Sequence, residues 1–266
     1  MQQIPYTLLD LSFFDLALSA GLILIAVGLS RLQQLGLGRE LLIGAFRTLL
    51  QLIAVGYILK YIFALRHWYL ILLAVFVMIA VAAHTVSGRQ RRPSKELSLL
   101  VAFAITVGSG FTVFLVTQVI IQIEPWYEPH YLIPLMGMVV GNSMNAATLA
   151  VERLDSELAA KKTEVEVYLA LGGTSRQAVA SYMKSAMKAA MIPTINSMMV
   201  VGIVALPGMM TGQILSGTSP LVAVKYQILI MYMIAFSVAA SSFILVNLRF
   251  QKYFTRDHQL REEVFG

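Results

Sequence analysis

The feature that most constrains this chain is a series of seven long apolar runs, at about 11–29, 41–59, 68–86, 97–123, 131–151, 191–206 and 221–246. A helix rises about 1.5 Å per residue, so some 20 residues cross a hydrocarbon layer of about 30 Å. The runs, roughly 16 to 27 residues long, bracket that length, the longest allowing for tilt. They are continuous rather than spaced at the 3.6-residue period of a soluble amphipathic helix. Only 13% of the residues are charged, against about 25% in soluble domains. The expected fold is all-α: a polytopic membrane protein of about seven transmembrane helices in one domain, residues 1–266.

An odd number of spans places the termini on opposite sides. The connections 31–40, 88–96 and 152–190, with the tail 249–266, hold 16 of the 20 lysines and arginines. Short basic connections stay cytoplasmic, so the N-terminus is expected outside and the C-terminus inside. The same distribution ties the net charge of +6 to membrane orientation and argues against nucleic-acid binding. Residues 1–12 carry no lysine or arginine, so the first run reads as a retained span and not as a secretory signal. With no cysteine, disulfides, thiolate metal sites and a cysteine nucleophile are excluded.

The connection 152–190 is longer than a bilayer turn requires. Its first part, ERLDSELAAKKTEVEVYLAL, is rich in helix formers and free of glycine and proline, which predicts a helix leaving the membrane with the fifth span. Gly172 and Gly173 end it, and Thr174-Ser175-Arg176-Gln177 has the form of a capping box that starts a second helix running into the sixth span. A solvated connector accounts for these helix signals equally well. Glu166 followed by LALGGTSRQA, however, resembles the EAA-type loop of ATP-binding-cassette (ABC) permeases. Together with RTLLQL, VGYILKYIF, GMVVGNSMNAATLA, IPTINSMMVVGIVALPGMMTGQILSG and VKYQI, it is similar to the FetB-type permeases, a bacterial family linked to iron export and related to plant aluminium-tolerance permeases.

That resemblance implies a separate ABC ATPase subunit that docks at Glu166, Gly172, Gly173 and Thr174. It also implies a second permease copy, and export of iron from the cytoplasm across a bacterial inner membrane. ATP and Mg are then bound by the partner, and no cofactor by this chain. The sequence has no G-x-x-x-x-G-K-[ST] phosphate cradle, so the chain is not expected to be an enzyme.

Polar residues inside apolar runs are the remaining candidates. Arg47 either snorkels to the interface or bonds Gln51 one turn on. Asp15 and Lys225 enter their spans at matching depth and are expected to pair or to serve a pathway. Asn142 and Asn145 share a face of the fifth span, and Pro193 and Asn196 share one of the sixth. They read either as helix-packing glue or as the lining of a transport route, with Pro193 loosening the helix. The stretch 206–220 is expected as a re-entrant or outer hairpin, in which Met209 and Met210 are flexible packing or soft-ion ligands. Glu124, Glu128 and His130 do not define a metal site, and His84 is isolated. Export of a nucleotide sugar or lipid is the alternative within the same class. An ion-gradient transporter would need an acidic relay, for which only Asp15 is available. An intramembrane enzyme would need paired catalytic groups that the runs lack.

Overall fold

The computed structural model describes residues 12–90, 93–255 and 257–261; Leu11 of the expected first span and the end of the tail lie outside them. The chain is all-helical: α1 (Phe13–Leu32), α2 (Gly38–Leu65), α3 (Trp68–Arg89), α4 (Lys95–Phe114), α5 (Pro129–Ala160), α6 (Lys162–Ala170), α7 (Ser175–Val200), α8 (Gly208–Leu215) and α9 (Pro220–Gln251). α4 continues as a π-helical turn, Leu115–Ile120.

Local sequence sets the helix ends. Ser94 Oγ accepts from the Leu97 amide at 3.0 Å to start α4. Pro129 and Pro220 occupy the first turns of α5 and α9, where no backbone N–H is needed. Ser12 and Asp15 form a capping box at α1, with the Asp15 carboxylate accepting from the Ser12 amide at 2.9 Å and the Ser12 hydroxyl at 2.7 Å. Among the described residues no ion pair joins Asp15 to Lys225. Asp15 is the third residue of its helix, and its carboxylate serves that helix's own first turn.

Two apolar clusters hold the bundle. One joins α3, α4, α5 and α9 through Val86, Val101, Ile105, Val139 and Leu245. The other joins α5, α7 and α9 through Ala150, Leu154, Val179, Ala186 and Phe250. Where α4, α5 and α9 meet, the hydroxyls of Ser109, Ser143 and Ser237 bond one another at 3.0 to 3.4 Å. α1 and α2 form a hairpin attached mainly through Leu59, Ile62 and Phe63, against Ile71 and Ile133. α5 and α9 run in the same direction and α7 runs against both. One end of the bundle, called here the basic end, carries Arg153, Arg249 and the α6–α7 corner; the other, aromatic end carries Trp126, Tyr127 and Trp68.

Among the described residues, six helices are long and apolar enough to cross a membrane, and the expected sixth run, 191–206, is not one of them. α7 carries Arg176 and Lys184 in its first half and Lys188 just past its midpoint, and it stops at Val200. Beyond it the chain turns through Val201–Ala205, where Gly202 has φ +82° and the β-branched Val201, Ile203 and Val204 disfavour continuing the helix. The expected helix 152–171 is likewise broken at Lys161, which separates α5 from α6.

Candidate functional site

Two cavities lie in series between α5 and α9, on the aromatic-end side of the serine knot. The larger, about 380 Å³, is bounded by Met138 and Asn142 of α5, Ser197 of α7, the turn at Val201 and Ala205, Met209 of α8, and Gln227 and Met231 of α9. The smaller, about 290 Å³, is bounded by His130 and Tyr131 of α5, Gln213 of α8 and Tyr226 of α9. Met138, Met209 and Ile230 line both, so the methionines stand between them. α8 is held there by the apolar contact of Met209 with the core, and Thr211 fastens its first turn by bonding the Pro207 carbonyl at 3.1 Å.

The polar side chains lining the larger cavity are two amides and a hydroxyl. Gln227 is 6% exposed, and its Oε1, like that of Gln213, is buried without a hydrogen-bond partner. Leaving such a group unpaired costs about 1–3 kcal/mol. Asn142 donates its amide N–H to the Met138 carbonyl at 2.8 Å. At the aromatic end, His130 Nδ1 lies 2.6 Å from Glu128 Oε1, a hydrogen bond that holds the Glu128 carboxyl below its usual range. No group of three His, Cys, Asp or Glu side chains placed to hold a metal ion occurs among the described residues.

The candidate pathway residues are only partly brought together. Asn142 reaches the larger cavity and faces Ser197 across it. Asn145, Pro193 and Asn196 are exposed on the outside of the chain and line neither cavity. Arg47 and Gln51 lie exposed on α2, Lys225 exposed on α9 and His84 exposed on α3. Gln213 and Gln227 were missed by sequence reasoning. Two glutamines inside apolar stretches were the available signal, and it was the same kind that singled out the asparagines.

At the basic end the chain makes a helical corner. Gly172 has φ +89°, its amide donating to the Leu169 carbonyl at 2.9 Å. Gly173 packs so closely on Tyr168 that a Cβ would lie 2.2 Å from the ring. The Thr174 hydroxyl accepts from the Gln177 amide at 3.3 Å while Gln177 Oε1 accepts from the Thr174 amide at 3.0 Å. Glu166 is exposed, 3.6 Å from Lys162 Nζ. Val167, Tyr168 and Leu171 are exposed too, Leu171 at 84%.

The tail locks this corner to the bundle, which the sequence did not foretell beyond a charged extension. Arg249 donates two hydrogen bonds to Asp155, at 2.9 and 3.3 Å, and its guanidinium lies over the Tyr253 ring. The buried Tyr253 hydroxyl bonds the same carboxylate, and burial pushes that hydroxyl's pKa well above the ordinary tyrosine range. His258 Nδ1 lies 2.9 Å from the Ser175 hydroxyl at the start of α7. Ser185 of α7 donates to Glu157 of α5 at 2.8 Å, with Arg153 completing the set.

Residues 13–254 match the family described as Uncharacterised protein family (UPF0014). The chain is 41% identical to a UPF0014 membrane protein of Synechocystis sp. over 96% of this chain and 98% of the relative. It is 35% identical to the probable iron export permease protein FetB of Escherichia coli, over 92% of this chain and 93% of that one. It is also 35% identical to the protein ALUMINUM SENSITIVE 3 of Arabidopsis thaliana, over 92% of this chain and 88% of that one. No solved structure matches the chain. With a family model spanning nearly all of it and relatives matched along almost their whole length, the chain belongs to the UPF0014 family of membrane proteins.

Proposed function

We propose that this chain is the permease subunit of an ABC exporter in a bacterial cytoplasmic membrane, working as two copies with a separate ATPase that holds ATP and Mg. The observation that carries the reading is the exposed apolar knob of Val167, Tyr168 and Leu171 on the corner between α6 and α7, outside the apolar spans. A group of large apolar side chains facing water marks a protein contact. The knob sits on a corner that the Asp155–Arg249–Tyr253 network and the Ser185–Glu157 bond tie to α5, α7 and α9. Those helices wall the larger cavity, so a push at the corner is delivered to it as a rigid-body movement. In this reading α7, the turn 201–205 and α8 together make the sixth of seven crossings, with the N-terminus outside and the corner and tail cytoplasmic.

The proposed cargo is iron, after the E. coli relative's name. A second reading, export of an organic solute such as a nucleotide sugar or a lipid, is favoured by the cavity itself, whose size falls in the range of small-molecule pockets. The test is co-purification. Leu171→Asp is expected to abolish capture of the ABC ATPase from bacterial membranes with permease levels unchanged. Retention of the ATPase by that variant would reduce the corner to a connector. Cellular iron with and without the chain then decides the cargo.

A further inference from the structure

Most buried polar groups described in this bundle find partners. The hydroxyls of Ser109, Ser143 and Ser237 satisfy one another, and the buried Thr112 and Thr117 hydroxyls donate to the carbonyl one turn back. Gln227 breaks the pattern. Its side chain is 94% buried, its amide oxygen has no partner, and it lines the larger cavity about 10 Å along α9 from Pro220. Ser241 and Ser242 also have unpartnered buried hydroxyls, but they line neither cavity. An amide that served only as packing glue would be bonded to a neighbouring helix. We infer that Gln227 is the recognition group of the larger cavity, and that the solute it takes presents O–H donors, as water held on a metal ion or a sugar hydroxyl does, rather than a bare cation.

The remaining lining fits that class. Asn142 and Ser197 are neutral, Met209 and Met231 are soft and apolar, and no acidic side chain lines the cavity. A bare divalent cation stripped of water demands anionic oxygen ligands to offset its lost hydration. A solute that keeps its coordinated water, or carries hydroxyls, spreads its charge and offers protons to an amide oxygen. Beyond Met209, Gln213 lines the smaller cavity, and its buried amide oxygen likewise has no partner.

This inference rests on the export reading, and its test is built so that the two fail separately. The full-length chain in lipid nanodiscs is titrated with hexaaqua ferrous ion under anaerobic conditions and with UDP-glucose, for wild type, Gln227→Leu and Gln227→Glu. One probe is expected to bind the wild type, with binding about tenfold weaker in Gln227→Leu while the unfolding temperature holds or rises. Gln227→Glu separates the sources, since its carboxylate retains or strengthens ferrous binding and weakens the anionic sugar nucleotide. The inference is overturned if neither probe binds the wild type, if Gln227→Leu binds as well as the wild type, or if binding and unfolding temperature fall together. ATPase co-purification with the wild-type chain is scored beside it: its loss sinks the export reading and leaves the binding comparison standing.

Discussion

Asp155 is asked to satisfy both Arg249 and Tyr253 where the tail leaves α9, and this concentration of partners makes it sensitive to single changes. Tyr253→Phe removes a donor from a half-buried carboxylate, and is expected to cost about 1–2 kcal/mol, read as a lower unfolding temperature. The pH dependence follows from the same burial. Tyr253 has a folded-state pKa above its unfolded one, so its contribution is complete below pH of about 10 and is lost as pH rises past that value and the unfolded chain ionises. Wild type should therefore lose more stability than Tyr253→Phe between pH of about 9 and 11; equal losses would place the hydroxyl in solvent. At the corner the two glycines differ in kind. Gly172 has open space around it but needs positive φ, so Gly172→Asn should be tolerated and Gly172→Val should strain the turn by about 1–2 kcal/mol. Gly173 has an ordinary φ but no room, so Gly173→Ala must displace Tyr168 from the proposed docking knob. ATPase capture should survive only the asparagine change.

The helices show why apolar pattern alone recovers most of this fold and where it stops. Runs such as 41–59 and 68–86 became α2 and α3 with their ends shifted by a few residues, because burying twenty apolar side chains in lipid outweighs other local preferences. Gly172 and the Thr174 box were legible because a cap is written in adjacent residues. The broken sixth run was not, since 191–206 is as apolar as a span and nothing adjacent announces the positive φ that Gly202 adopts. Gln213 and Gln227 are not legible in the sequence, because nothing local tells a bonded glutamine from an unbonded one. Close approach of helices is equally invisible until they are assembled, and here it gives a sharp contrast. A Cβ on Gly108 would lie 2.7 Å from the Ser241 backbone nitrogen and 2.9 Å from its Cα, whereas Gly110 has nothing within 4 Å. Gly108→Ala is expected to force α4 from α9 and cost about 1–3 kcal/mol. Gly110→Ala should leave the melting temperature unchanged, and similar behaviour of the two variants would mean that α4 and α9 are not in this contact.

At the scale of the whole molecule, one face of the chain is incompatible with lipid. Val201 and Ala205 sit beside Met138 and Asn142, about 14–20 Å along α5 from its start and hence near the middle of the hydrocarbon layer. Irregular backbone at that depth persists only where protein or an aqueous cavity covers it. Yet Ile203 is 87% exposed and Val204 79%, and the amides of Asn145 and Asn196 are exposed on the same pair of helices, α5 and α7. If two permease copies form the exporter, the covering surface is the same surface of the second copy, since a twofold interface is self-complementary. Asn145 and Asn196, which line neither of the two cavities, then fall within that covered surface. In this cysteine-free chain, Ile203→Cys is therefore expected to form disulfide-linked dimers in native membranes under mild oxidation. Phe111→Cys, exposed on α4 away from that turn, should not. Cross-linking at position 111 and none at 203 would place the second copy against α4 and leave the turn at Gly202 to be covered by another protein.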